Sequence, residues 1–157
     1  EVVHAGGHSE GNTVFLDRDA GILFEAETIL GGATGEPGAL AVPYYHDPAV
    51  YRSTLRRLAE LPWELMLSSH AAPRDRAAGR AAIDASLAFV GEFHGQVATV
   101  LTAGHSLPFA DVVQALAARY GYTYDLGLAL LVETHLEYLK RCNQAEQCPD
   151  GRWSAYD

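Results

Sequence analysis

Two apolar, β-prone runs, "NTVFLD" and "GILFEAE", flank the short polar stretch "RDAG", which ends in glycine. Side chains of this kind on either side of such a turn predict an antiparallel β-hairpin. The preceding "EVVH" reads as the end of another strand. From Thr28 to His46 the chain is rich in glycine and proline and predicts an irregular loop. Asp47-Pro48 then has the chemistry of a helix start, a capping carboxylate followed by proline at the first helical position. Tyr51, Leu55 and Leu58 mark one face of that helix, which is expected to end at Leu61-Pro62. "WELMLSS" is a short apolar strand, with His70 just past its end. Hairpin, loop, helix and strand in this order predict a mixed α/β layer structure.

Composition changes near Pro73, and the expected division is residues 1–74 and residues 75–157. In the second part Ile83, Leu87, Val90 and His94 fall on one helical face. Ser106-Leu107-Pro108 opens a second helix carrying Val112, Val113 and Leu116. A third, from about Asp125 to Cys142, carries Leu128, Val132, Leu136 and Leu139. "CPDGRWSAY" adds turn chemistry and a short aromatic strand, so a small winged-helix-like unit is expected. Cys142 and Cys148 have a spacing that matches no zinc knuckle and are expected as two thiols.

Hydrophobic residues make up 48% of the 157, enough for a buried core. The formal net charge of −9 disfavours a nucleic-acid partner, which needs clustered Lys and Arg. Nor does the third helix look like a recognition helix, with Asp125, Glu133 and Glu137 set against only Lys140 and Arg141 at its end. No apolar run approaches the ~20 residues of a membrane span. No basic segment of a leader precedes the first apolar residues, and a cytoplasmic location is expected. The chain begins without Met, which fits a fragment, a processed subunit or the ordered part of a longer product.

Three side chains stand at the ends of β-elements, where α/β sheets build their sites: His8, Glu27 and His70. Two imidazoles and a carboxylate suit zinc or a similar ion. His8 lies in "HAGGHSEGN", whose glycines permit a tight turn around the ring.

The run "VVHAGGHSEGNTVFLDRDAGILFEAETI" resembles the second half of the metallo-β-lactamase-fold hydrolases, the group that includes glyoxalase II and lactonases. There a strand leads into His-x-Pro-Gly-His, a hairpin, and an apolar strand ending in Gly-Asp-Thr. The next landmark, a helix, a strand and a Gly-His pair, is similar to "PYYHDPAVYRSTLRRLAELPWELMLSSHAAP". "ALLVETHLEYLKRCNQAEQCPDGRWSAY" resembles the winged-helix appendage of many of these hydrolases. The resemblance implies half of an α+β sandwich of αββα type. It also implies that His8 and His70 are zinc ligands, that Glu27 takes the place of a zinc-bridging aspartate, and that His4 is a non-ligand. Gly6 stands where the family has proline, and Ser69 where it has glycine. Glu27 is longer than aspartate by one methylene, which displaces the carboxylate by about 1.5 Å.

The family's other ligand cluster, His-x-His-x-Asp-His, belongs to the half-fold ahead of this one, and nothing in the sequence resembles it. The resemblance thus implies a second polypeptide supplying the N-terminal half. One or two zinc ions would be shared with it, and a small carbonyl substrate (ester, thioester, lactone or amide) would be hydrolysed. This chain alone is not expected to be active. A non-catalytic scaffold or regulatory subunit that binds no metal stays open as the alternative. Tyr44, Tyr45 and His46, at the end of the long loop, are candidate substrate contacts or packing groups. His94, His105 and His135 are expected to be structural. Arg52, Arg56 and Arg57 are expected to form a solvated basic face.

Overall fold

A computed structural model describes residues 1–102 and 104–156. The chain forms two compact units, Glu1–Gly32 with Tyr45–Val90, and Ala33–Tyr44 with the chain from Gly91 onward. The boundary expected between residues 74 and 75 falls inside a strand, and the first unit runs on to Val90.

The first unit holds β1 (Val2–His4), β2 (Thr13–Asp17), β3 (Ile22–Ala26), α1 (Pro48–Glu60), β4 (Leu65–Ser68), β5 (Arg74–Asp75) and the start of α2 (Arg76–Val100). Its sheet has the order β1-β2-β3-β4-β5. The hairpin pairs Phe15 with Phe24 and Leu16 with Leu23. Asp17 Oδ1 accepts from the amides of Asp19 and Ala20 and so shapes the turn. β3 and β4 run parallel, joined by the long loop and α1. β5 is too short to show a period in sequence, and it pairs antiparallel with β4.

Alternation along the strands buries Val14, Leu16, Leu23 and Met66 on one face. Tyr51, Leu55 and Leu58 of α1 are buried too, as the helical pattern predicts. Asp47 caps α1 as its sequence suggests, accepting from Ala49 N and Val50 N. The far end of α1 is capped by cations. Arg76 donates to the carbonyls of Leu61 and Trp63, and Arg80 donates to that of Ala59. Positive charge at the free carbonyls of a helix end is stabilising. A Cβ on Gly79 would lie 2.7 Å from the Trp63 ring, so this helical position must be glycine for the indole to fit.

The second unit contains the end of α2, α3 (Phe109–Tyr120), α4 (Leu126–Arg141) and an antiparallel pair, β6 (Ala145–Gln147) and β7 (Trp153–Ala155). Asp125 caps α4, and Gly121 ends α3 in the left-handed conformation. Along α2 the burial stripe is rotated from the expected one. Ile83 and Val90 are buried, but Phe93 and Val97 take the deep positions, while Leu87 and His94 are half-buried. Cys142 and Cys148 are free thiols. No helix among the described residues is long and apolar enough to cross a membrane.

His135 is fully buried in α4, its Nδ1 3.4 Å from Nδ1 of His94. Burial, and then the neighbouring His94, push the His135 imidazole down from 6.5 to about 3. Between these values the unfolded chain holds a proton that the folded chain does not. Folding stability is therefore lost as pH falls from about 6.5 towards 3, by up to about 1.4 kcal/mol per pH unit at this site. Above 6.5 both states are neutral and the site adds no pH dependence. Urea unfolding of wild type and His135→Leu should show midpoints that shift in the variant's favour between about pH 7 and pH 5. A gap independent of pH would contradict the burial of a neutral imidazole.

Candidate functional site

His8 follows β1 on a turn whose backbone is held from several sides. Ala5 N donates to Asn12 O at 2.7 Å, closing the loop between β1 and β2. The Gly6 carbonyl accepts from the buried Thr54 hydroxyl of α1 at 2.6 Å. The Gly7 carbonyl accepts twice from His46, from its amide and from its ring Nδ1, each at 2.7 Å. A carbonyl can only accept, so Nδ1 of His46 carries the hydrogen. Arg57 donates to the His4 carbonyl, and the His4 ring contacts the Glu10 carbonyl. Gly7 itself has φ +130°, and a Cβ there would lie 2.6 Å from Tyr51 Cα. The turn is thus pressed against α1, and hydrogen bonds supply the stiffness that Gly6 cannot.

Glu27 is placed by its neighbour. In an unbroken strand Glu25 and Glu27 would point to the same face. Ala26 adopts φ +56°, and the register between β3 and β4 shifts between Phe24 and Ala26. A non-glycine residue in the left-handed region is uncommon and re-aims the chain. Glu25 is buried, whereas the Glu27 side chain is 43% exposed. Glu25 Oε2 accepts from the amides of Thr28 and Ile29, each at 2.8 Å. Burial raises the Glu25 carboxyl above its usual range, opposed by Ser68, by these two amides and by the Arg74 charge. Asn12 donates to Thr28 Oγ1 at 2.8 Å, which ties the His8 loop to the end of β3.

His70 lies just beyond β4, and its side chain is 76% exposed. Its Nε2 bonds Glu27 Oε1, and His8 Nε2 lies 3.3 Å from Glu27 Oε2. One carboxylate therefore pairs with both rings, one on each oxygen. The hydrogen bond and charge of His70, with a smaller contribution from His8, lower the Glu27 carboxyl below its ordinary value. The structure brings together all three residues expected as ligands. Their chemistry suits zinc, but each ring faces a different oxygen of Glu27. Among the described residues no group of three such side chains converges as a metal site.

The candidate substrate contacts are placed differently. Tyr45 is fully buried and stacks on Tyr51, with centroids 4.7 Å apart, so its ring is a packing group. His46 is turned to the Gly7 carbonyl and holds the His8 turn. Tyr44 belongs to the second unit and is half-buried. Sequence reasoning passed over Thr54, Glu25 and Arg74. Glu25 carried a usable signal, a carboxylate at the inward-facing position of an apolar strand.

Neither a family model nor a curated relative matches this chain. Solved structures do. A metallo-β-lactamase family protein from Thermus thermophilus is 18% identical with a TM-score of 0.73, the match covering 99% of this chain and 48% of that one. A β-lactamase domain protein from Burkholderia ambifaria is 21% identical with a TM-score of 0.72, covering 99% and 47%. A stereoselective inverting sec-alkylsulfatase from a Pseudomonas species is 11% identical with a TM-score of 0.56, covering 85% and 23%. The fold is thus that of metallo-β-lactamase family proteins. The chain spans about half the length of the first two, in line with the C-terminal half implied by its motif order.

Gly7→Ala should destabilise the first unit by about 3 kcal/mol or more, combining a strained φ with a backbone clash. His46→Ala should cost less, about 1–3 kcal/mol, by removing a side-chain donor from the Gly7 carbonyl. Chemical denaturation measures both, and a neutral Gly7→Ala would contradict the close packing of the turn on α1.

Proposed function

We propose that the edge formed by His8, Glu27 and His70 is part of a metal-dependent hydrolase centre that cleaves an ester, thioester, lactone or amide. The observation that carries this reading is the meeting of His8, Glu27 and His70 at neighbouring ends of β-elements in a fold shared with metallo-β-lactamase family proteins. His8 and His70 would bind zinc through Nε2 as neutral rings, giving up any proton shared with Glu27. Glu27 would bring the negative charge. Held by these residues, zinc would supply Lewis acidity, lowering the pKa of a bound water to ~7 and favouring attack on a carbonyl. His46 and Thr54 hold the His8 turn, and Ser69 N, donating to Ala26 O, ties the strand end before His70 to the bulge before Glu27.

The remaining ligands and the water-orienting group belong, in this reading, to the complementary half of the fold. That half lies outside these residues, on a second polypeptide as the sequence resemblance implies. The outer sheet face supports this. Val2, Phe15, Phe24 and Leu67 pair in one continuous row across β1 to β4. Val2, Phe15 and Phe24 are 68%, 54% and 43% exposed. A row of this kind across four strands marks an interaction surface. The Thermus and Burkholderia proteins, each about twice as long as this chain, have the length to supply such a partner layer.

The reading as a non-catalytic, metal-free subunit is favoured by one observation, the pairing of the three side chains with each other instead of around a common point. Zinc titration followed by competition with a chelator separates the two. The chain with its complementary half should take up stoichiometric zinc, and His8→Ala or His70→Ala should weaken binding about tenfold or more. Uptake and hydrolysis unchanged in both variants would overturn the hydrolase reading. Phe24→Asp should leave this chain folded, because the ring is half-exposed. It should weaken association with the complementary half about tenfold or more, measured by analytical ultracentrifugation.

A further inference from the structure

The turn that follows Glu27 is gripped amide by amide. Thr28 N and Ile29 N donate to Glu25 Oε2, each at 2.8 Å. Leu30 N donates to the Tyr51 hydroxyl at 3.2 Å, and Gly31 N to the Ser86 hydroxyl at 2.8 Å. Consecutive amides are thus met by side chains from β3, α1 and α2. Ser86 gives its own hydrogen to the Ala82 carbonyl one turn back in α2, at 3.0 Å, and the Ser86 and Tyr51 hydroxyls also meet each other. Tyr51 reaches the other side of the edge as well. A Cβ on Gly7, the residue before His8, would lie 2.9 Å from the Tyr51 ring. One buried side chain therefore touches the His8 turn with its ring and the turn after Glu27 with its hydroxyl. Stacking on Tyr45 fixes that ring. Phenylalanine would fill the same space and stack equally well, so packing alone does not call for a hydroxyl, which is costly to bury unless it is bonded.

We propose that Tyr51 is a positioning residue of this edge, a rigid spacer that sets how far Glu27 stands from His8, with Ser86 bracing it from α2. Both act at one remove, through Gly7 and through the amides of Leu30 and Gly31. The distance they govern is a sensitive one. His8 Nε2 stands 3.3 Å from Glu27 Oε2, at the outer limit of a hydrogen bond, so a small movement of either turn decides whether ring and carboxylate pair. Donors held in place before a ligand arrives bind it more tightly than donors that must be ordered. That the spacing serves a metal centre rests on the hydrolase reading above. That Tyr51 sets the spacing does not.

The test records the ring nitrogen signals of His8 and His70 by NMR in the metal-free 157-residue chain at one fixed pH. Glu27→Gln serves as the reference for rings that have lost the carboxylate. Tyr51→Phe keeps the ring's packing and releases Leu30 N, and it should move the His8 signals toward the reference values. Ser86→Ala should move them the same way, and it decides the matter if Tyr51→Phe does not fold. Ile83→Val, a buried substitution on the same helix as Ser86, should lower the unfolding midpoint and leave the ring signals where they are. With the complementary half present, Tyr51→Phe should weaken zinc binding about tenfold, as loss of a group that orients a ligand does. Ring signals unmoved in both hydroxyl variants, ring signals moved as far by Ile83→Val, or zinc binding that Tyr51→Phe leaves unchanged would overturn the proposal. Ring signals that shift while wild type itself takes up no zinc would support the positioning role and overturn the metal centre.

Discussion

The left-handed residue at the end of β3 decides what this sheet edge presents. With Ala26 at φ +56°, the run Glu25-Ala26-Glu27 stops alternating, and its two carboxylates part company. One turns into the protein and binds the amides of the next turn; the other turns outward between two imidazoles. Had Ala26 kept extended geometry, both would share a face, and two carboxylates on one face would repel each other. The bulge is also where β4 is tied, through Ser69 N to the Ala26 carbonyl, so His70 inherits its position from the same distortion. Left-handed alanine costs of order 1 kcal/mol, and the hydrogen bonds accepted by Glu25 and Ala26 offset it.

Much of the first unit was legible because local chemistry and tertiary need agree there. The hairpin, the Asp47 cap, the Tyr51-Leu55-Leu58 face and the strand before His70 all appear where their patterns place them. The spatial meeting of His8, Glu27 and His70 was not visible in spacing, since their separations carry no period. It followed only from placing each at the end of a β-element and from the family resemblance. What escaped the sequence depends on contacts between distant residues. β5 exists only as a pairing with β4, and the rotated stripe on α2 reflects what Phe93 and Val97 pack against. The role of His46 was hidden for the same reason, because its partner is a backbone carbonyl 39 residues away. Tyr45, equally promising in sequence, is spent on stacking with Tyr51.

The outer sheet face shows how burial and exposure divide the two faces of one strand. Leu16 and Leu23 point one way and are buried; Phe15 and Phe24, one residue along, point the other way and are not. Both sets are equally apolar, so hydropathy alone cannot assign them. Only the count of layers does, because a sheet with a single covered face leaves its second apolar row exposed.

The two histidines of the edge are held very differently. His8 sits on a turn fixed by Thr54, His46 and the packing of Gly7 on Tyr51, and its side chain is 28% exposed. His70 is 76% exposed, and its ring is met by the Glu27 carboxylate. Ordering an exposed side chain costs entropy that a preorganised one has already lost in folding. His8 is therefore the more firmly held of the two rings, and Glu27 meets both. Substituting Glu27 removes the group that the His70 ring meets. One carboxylate on Glu27 thus reaches rings that follow two different strands, β1 and β4.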